Sequence, residues 1–148
     1  MIKALALVTI WSTDQERTVA FCTEKLGFEI RSDVDMGARW VTVGVPGQND
    51  LEMTIMPTDG PGFDPESAEA LTTLVTKGVL GAGALHTDDC HGDYKQLKDR
   101  GVEFLQEPQE RPYGTEAIFR DDNGSWWSLT QRREGELDFD KPWGEPPA

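Results

Sequence analysis

The chain has 148 residues, 28% of them charged and 37% hydrophobic, with a formal net charge of -13 at pH 7. That length suits one domain with a sizeable core, and the acidic balance excludes the basic surface on which sequence-independent nucleic-acid binding depends. No stretch nears the roughly 18 apolar residues of a membrane span, the N-terminal "MIKALALVTIW" lacks a small-residue cleavage site, and Cys22 and Cys90 make neither a disulfide framework nor a CxxC site, so the expectation is a cytoplasmic protein with reduced thiols and no membrane partner.

In chain order, "KALALVTIW" (3–11) is rich in β-branched and apolar residues and reads as a covered strand. "STDQER" then starts a helix in which Thr13 is the expected cap, with Glu16 at capping-box spacing. Val19, Cys22 and Leu26 fall on one face and Gly27 stops the helix. "FEIRSDV", "RWVTVGV" and "DLEMTIM" follow as three strands parted by "DMGA" and "PGQN". A connector (57–79) carries a short helix over 65–77, begun by Asp64 and ended by Gly78.

The second half repeats this order. "LGAGALHT" is a small-residue strand, "DDCHGDYKQLKDRG" a helix, and "VEFLQEP", "EAIFRD" and "SWWSLTQ" three strands. "QEPQERPYGTEA" reads as a loop stiffened by Pro108, Pro112 and Gly114, with Tyr113 as a candidate lid residue or a surface packing residue. Thr13 and Asp14 recur as Thr87 and Asp88, and "GFEI" from Gly27 recurs as "GVEF" from Gly101, in each case 74 residues on. A shared offset at helix start and helix stop argues for internal duplication. The expected fold is α+β, two βαβββ modules in tandem (1–56 and 80–131) within one domain over 1–131, followed by an irregular tail, 132–148.

This organisation, with "TVAFCTEKLGFEI" early and "AIFRDDNGSWWSL" late, resembles the vicinal oxygen chelate superfamily of glyoxalases, extradiol dioxygenases, and fosfomycin and bleomycin resistance proteins, over roughly Ile2 to Gln131. The resemblance implies cupped mixed sheets forming a cleft. In the family's metalloenzymes a His on the first strand and a Glu on the last strand of each module hold a metal. Carried over by distance from the landmarks, those positions are Leu7, Glu52, Ala82 and Ser128. Leucine and alanine cannot ligate and serine is a poor donor, whereas a divalent ion takes three or more imidazole or carboxylate donors. The expectation is no metal and no other cofactor, with Glu52 and His86 as the remaining donors.

Side chains alternate across a strand, so with those positions on the cleft face, Leu7, Thr9, Trp11, Glu52, Thr54, Met56, Ala82, Ala84, His86, Trp126, Ser128 and Thr130 share it, while Trp127 and Leu129 enter the core. Trp11 and Trp126 can stack on a conjugated ligand; each is core or cleft when taken singly. Trp40 is a further candidate. His86 is either bonded to a neighbour or a ligand contact or base. By resemblance to the bleomycin resistance branch, the function expected is sequestration of a bulky aromatic natural product by a homodimer, in which strand exchange is an open question because Trp11 stands where relatives often have proline. The alternative is a glyoxalase-like lyase or isomerase, or a dioxygenase-like enzyme, using Glu52 and His86.

Overall fold

A computed structural model describes residues 1–135; the rest of the expected tail, 136–148, lies outside the described residues. The described residues divide into two compact units, the first formed by Met1–Leu80 with Asp122–Ser125, the second by Gly81–Asp121 with the described residues from Trp126 on.

The first unit holds β1 (Leu7–Ser12), α1 (Gln15–Ala20), β2 (Glu29–Asp35), β3 (Arg39–Gly44), β4 (Glu52–Pro57) and α2 (Pro65–Thr76). Its sheet runs β1-β4-β3-β2, with β1 parallel to β4 and the other pairs antiparallel. Ile10, Val41, Val43 and Ile55 alternate onto one face and are buried together with Val19, Phe21 and Cys22 from the helical segment. α1 continues as a π-helical turn over Phe21–Lys25, where the Leu26 N–H donates to the Phe21 carbonyl at 3.2 Å, five residues back. The wider turn lets Phe21 and Cys22 both enter the core.

Thr13 does not cap α1. The Asp14 carboxylate takes the Arg17 N–H at 3.1 Å, and the Thr13 hydroxyl instead donates to Asn123 Oδ1 at 3.2 Å. A carboxylate favours the cap because it carries charge to the positive end of the helix. Arg17 also reaches Asp122 at 3.0 Å, and the Asp122 carboxylate accepts from Thr18 Oγ1 at 2.7 Å. These bonds tie the tight turn "DDNGS" to the helix start.

The second unit holds β5 (Gly81–His86), α3 (Cys90–Asp99), β6 (Phe104–Arg111), β7 (Gly114–Arg120) and β8 (Trp126–Arg132), in the matching order β5-β8-β7-β6. Ala117, Phe119, Trp127 and Leu129 alternate onto the core face with Cys90, Leu97 and Val102. Phe119 and Trp127 are cross-strand partners whose rings stack at 6.2 Å, and the indole N–H of Trp127 donates to Asp121 at 3.0 Å. Burial raises the Cys90 thiol pKa, so both free cysteines sit in the core as small apolar groups.

The repeat is sharper in structure than in sequence. Asp14 and Asp89 cap the two helices, and each has its own N–H held two residues back, by Ser12 Oγ at 3.1 Å and by Thr87 Oγ1 at 3.0 Å. The helix starts therefore correspond at an offset of 75, one more than the repeated Thr-Asp dipeptide suggests. The helix stops keep 74, because Gly27 and Gly101 both take positive φ, 74° and 90°.

The expected loop "QEPQERPYGTEA" is mostly strand. β6 runs to Arg111, β7 begins at Gly114, and only Pro112 and Tyr113 turn between them. Pro108 is tolerated because β6 is an edge strand and its register shifts between Gln106 and Gln109. β8 also extends to Arg132, into the expected tail. No helix among the described residues is long and apolar enough to cross a membrane.

Candidate functional site

Each sheet has a second face, turned away from its buried alternation, and the predicted site residues distribute over these two faces. In the first unit Leu7 stands beside Glu52, Thr9 beside Thr54 and Trp11 beside Met56. Thr54 stands beside Thr42, and Thr42 beside Ser32. Cross-strand partners point to the same side, so this face carries an unbroken row of hydroxyls, Thr9, Thr54, Thr42 and Ser32, one from each strand. Trp40 lies two residues before Thr42 and joins the same face, which settles its parity. Trp11 packs edge-on to Phe63 at 5.5 Å. Glu52 is half-buried at the Leu7 end.

In the second unit Trp126, Ser128 and Thr130 alternate with the buried Trp127 and Leu129. Trp126 is 39% exposed, and its indole lies across Gly81: a Cβ there would come within 2.7 Å of the ring. Glycine at this position makes room for the indole, part of which remains exposed. The face continues onto β7 through Arg120, Ile118 and Glu116, the partners of Trp126, Ser128 and Thr130.

Glu116 is the functional candidate that sequence reasoning missed. Its carboxylate accepts from Ser128 Oγ at 2.8 Å and from the Tyr113 hydroxyl at 2.8 Å, while Ser128 and Thr130 share a bond of 2.9 Å. Ser128 therefore supplies no acid at the family position but holds one that stands on the neighbouring strand. Tyr113 is fastened in the β6–β7 turn by the same carboxylate. Burial and that bond raise its pKa to about 12. The signal was present in the turn "RDDNGSW", because once Arg120 and Trp126 are paired, antiparallel counting places Glu116 opposite Thr130.

His86, on the edge strand beside Thr130, is exposed and accepts the Arg132 Nε–H on its Nε2 at 2.7 Å. It lines an open cavity of about 900 Å³ together with Asp88, Glu110, Gly114, Arg132 and Arg133. The imidazole thus has one ring nitrogen engaged by an arginine.

The four positions of the superfamily's metal shell can be tested against this geometry. Leu7 is the direct neighbour of Glu52, so the first sheet offers one carboxylate beside an alkyl side chain. In the second sheet the register shifts between Gly81 and Gly83, and the neighbour of Ser128 is Ala84 rather than Ala82. Neither alanine donates. This donor set does not fit a divalent ion, and among the described residues no three His, Cys, Asp or Glu side chains come together in a metal-holding group.

Comparison with known proteins agrees with the fold. Residues 4–129 match the model of the Glyoxalase/Bleomycin resistance protein/Dioxygenase superfamily. The uncharacterized protein YetH of Bacillus subtilis (strain 168) is 31% identical over 133 residues, covering 88% of this chain and 100% of that one. The crystal structure of UcmS2 superposes with a TM-score of 0.84 at 45% identity, over 88% of this chain and 98% of that one. TnmS3, an antibiotic binding protein from Streptomyces sp. CB03234, superposes with a TM-score of 0.71 at 28% identity, over 89% and 98%. With two sheets of one strand order, a duplicated helix entry and this match along most of its length, the chain belongs to the glyoxalase/bleomycin resistance/dioxygenase superfamily.

Proposed function

We propose that this protein binds a bulky aromatic small molecule, a natural product of antibiotic type, and sequesters it unchanged. The observation that carries this reading is the Trp126 indole, seated on Gly81 and 39% exposed, beside polar groups already bonded to one another. General acid-base catalysis needs a group free to exchange a proton with substrate. In the second unit Glu116 is taken by Ser128 and Tyr113, and His86 by Arg132, so of the two residues of the alternative acid-base pair only Glu52 stands without such an engagement among the described residues. Sequestration needs only complementary burial and a few polar contacts, and stacking on an indole adds about 0.5–1.5 kcal/mol beyond area burial. The antibiotic-binding relative TnmS3 supports the same direction.

The reading includes a cytoplasmic homodimer that needs no metal or other cofactor, with Trp11, Trp40 and Trp126 as stacking surfaces and Glu52 as the charge suited to an amine or hydroxyl. Intrinsic fluorescence titrated with a panel of planar aromatic antibiotics tests it: quenching should saturate, Trp126→Ala should weaken the affinity about tenfold, and mass spectrometry of the released compound should return its starting mass. A changed mass would overturn sequestration, and equilibrium sedimentation checks the dimer.

A further inference from the structure

Among the described residues, the buried side-chain polar atoms that lack a hydrogen-bond partner are Thr42 Oγ1, Thr54 Oγ1 and Arg31 Nε. All three belong to the first sheet. Thr42 and Thr54 are direct cross-strand neighbours, only 1% and 3% exposed, at the centre of the row that reaches solvent at Thr9 and is half-buried at Ser32. Arg31 occupies the bulge in β2, and its guanidinium lies over Gly44, where a Cβ would come within 2.7 Å of it. Gly44 is two residues beyond Thr42 on a regular strand, so the guanidinium is on the same face. Its Nη2 donates to the carbonyls of Val45 and Gln48, each at 3.0 Å, and pairs with Glu29 at 3.0 Å. That leaves Nε as a donor held in place with nothing to receive it.

Buried polar groups are nearly always satisfied, and each one left unmade carries a desolvation cost. Three such groups on one face of one sheet, with none on the corresponding face of the second sheet, mark a place built for an absent partner. A guanidinium N–H only donates, whereas a threonine hydroxyl donates or accepts. The atom that suits all three is an acceptor. Same-face neighbours on adjacent strands have Cβ atoms about 4.5–5.5 Å apart, so one oxygen with two lone pairs can receive both hydroxyls. We propose that this face is an oxygen-acceptor subsite: it takes a ring carbonyl or equivalent acceptor oxygen of the aromatic ligand, received by Thr42 and Thr54. This rests on the binding role proposed above and specifies which aromatic molecules the protein selects.

Equilibrium dialysis of the full chain against 9-fluorenone and fluorene, planar molecules that differ by one ring carbonyl, tests the subsite. The protein should bind fluorenone about tenfold more tightly than fluorene, the effect of one to two hydrogen bonds. The double variant Thr42→Val, Thr54→Val should bring that ratio to about one, and Thr42→Ser, Thr54→Ser should restore it. If the double valine variant does not fold, each single valine variant should remove part of the preference. Equal affinity of the unaltered protein for both probes would leave aromatic binding standing and overturn the subsite. A preference that survives both valines would overturn it as well, and would assign the hydroxyls to internal water. Failure of both probes to bind would remove the binding role and this inference with it.

Discussion

The two sheets share one strand order and a common way of starting their helices, yet they treat the polar groups on their second faces differently. In the second sheet Glu116, Ser128, Thr130 and Tyr113 bond to one another, and Gln106 caps the Glu116 carbonyl at 3.0 Å. In the first sheet the two central hydroxyls, Thr42 and Thr54, have no partner. The difference follows from residue type at matched places. A carboxylate accepts several donors at once and gathers its neighbours around it, whereas threonines aligned on adjacent strands each need a donor or acceptor that the sheet does not supply. Duplication gives two copies of a scaffold; side-chain chemistry makes one copy internally satisfied and the other receptive.

The largest expected effect concerns the core under the satisfied face. Trp127→Ala removes the Phe119 stack and the bond to Asp121, and should cost about 3–5 kcal/mol, measured by urea denaturation. A loss below 1 kcal/mol would mean that Trp127 does not anchor the second unit. Next, Glu116→Ala leaves Ser128 and Tyr113 without their acceptor and should cost about 1–3 kcal/mol, reduced because the group is only half-buried. The matched change in the first unit, Thr42→Val, replaces an unpartnered hydroxyl by a methyl of the same shape. It should leave stability of the free protein unchanged or raise it by up to about 1 kcal/mol, and a loss as large as that of Glu116→Ala would erase the contrast between the sheets.

The smallest effect is alkaline. The Tyr113 pKa lies near 12 in the folded protein, against an ordinary value near 10. The native state therefore holds this proton more tightly than the unfolded chain. Its contribution to stability is fully present below pH 10 and declines as pH rises toward 12. Tyr113→Phe should flatten that decline in denaturation midpoints measured across the same range, and an unchanged slope would detach Tyr113 from Glu116.

Much of the scaffold was legible in the residues themselves. Strand alternation placed Trp127 in the core and Trp126 on the opposite face of its strand, and the two Gly stops marked the helix ends. The misreadings have physical causes. Thr13 and Asp14 are both capping residues, and the choice fell to the carboxylate because Asn123, 110 residues away, engages Thr13. Two prolines and a glycine suggested a loop at 106–117, but an edge strand with a shifted register accommodates Pro108. Trp40 could be assigned to a face only through the pairing of Thr42 with Thr54.

What the sequence by itself determined is what local rules carry: element order, the alternation that separates core from second face, and the poor ligand chemistry of Leu7 and Ser128. Only the tertiary structure decided which side chains on different strands become neighbours. The meeting of Glu116 with Ser128, the seat of Trp126 on Gly81, and the row through Thr9, Thr54, Thr42 and Ser32 all depend on cross-strand register. Register is set by bulges and turns, and shifting it by one residue sends every side chain to the other face. Period two tells which residues share a strand face, and only the paired strands show what they share it with.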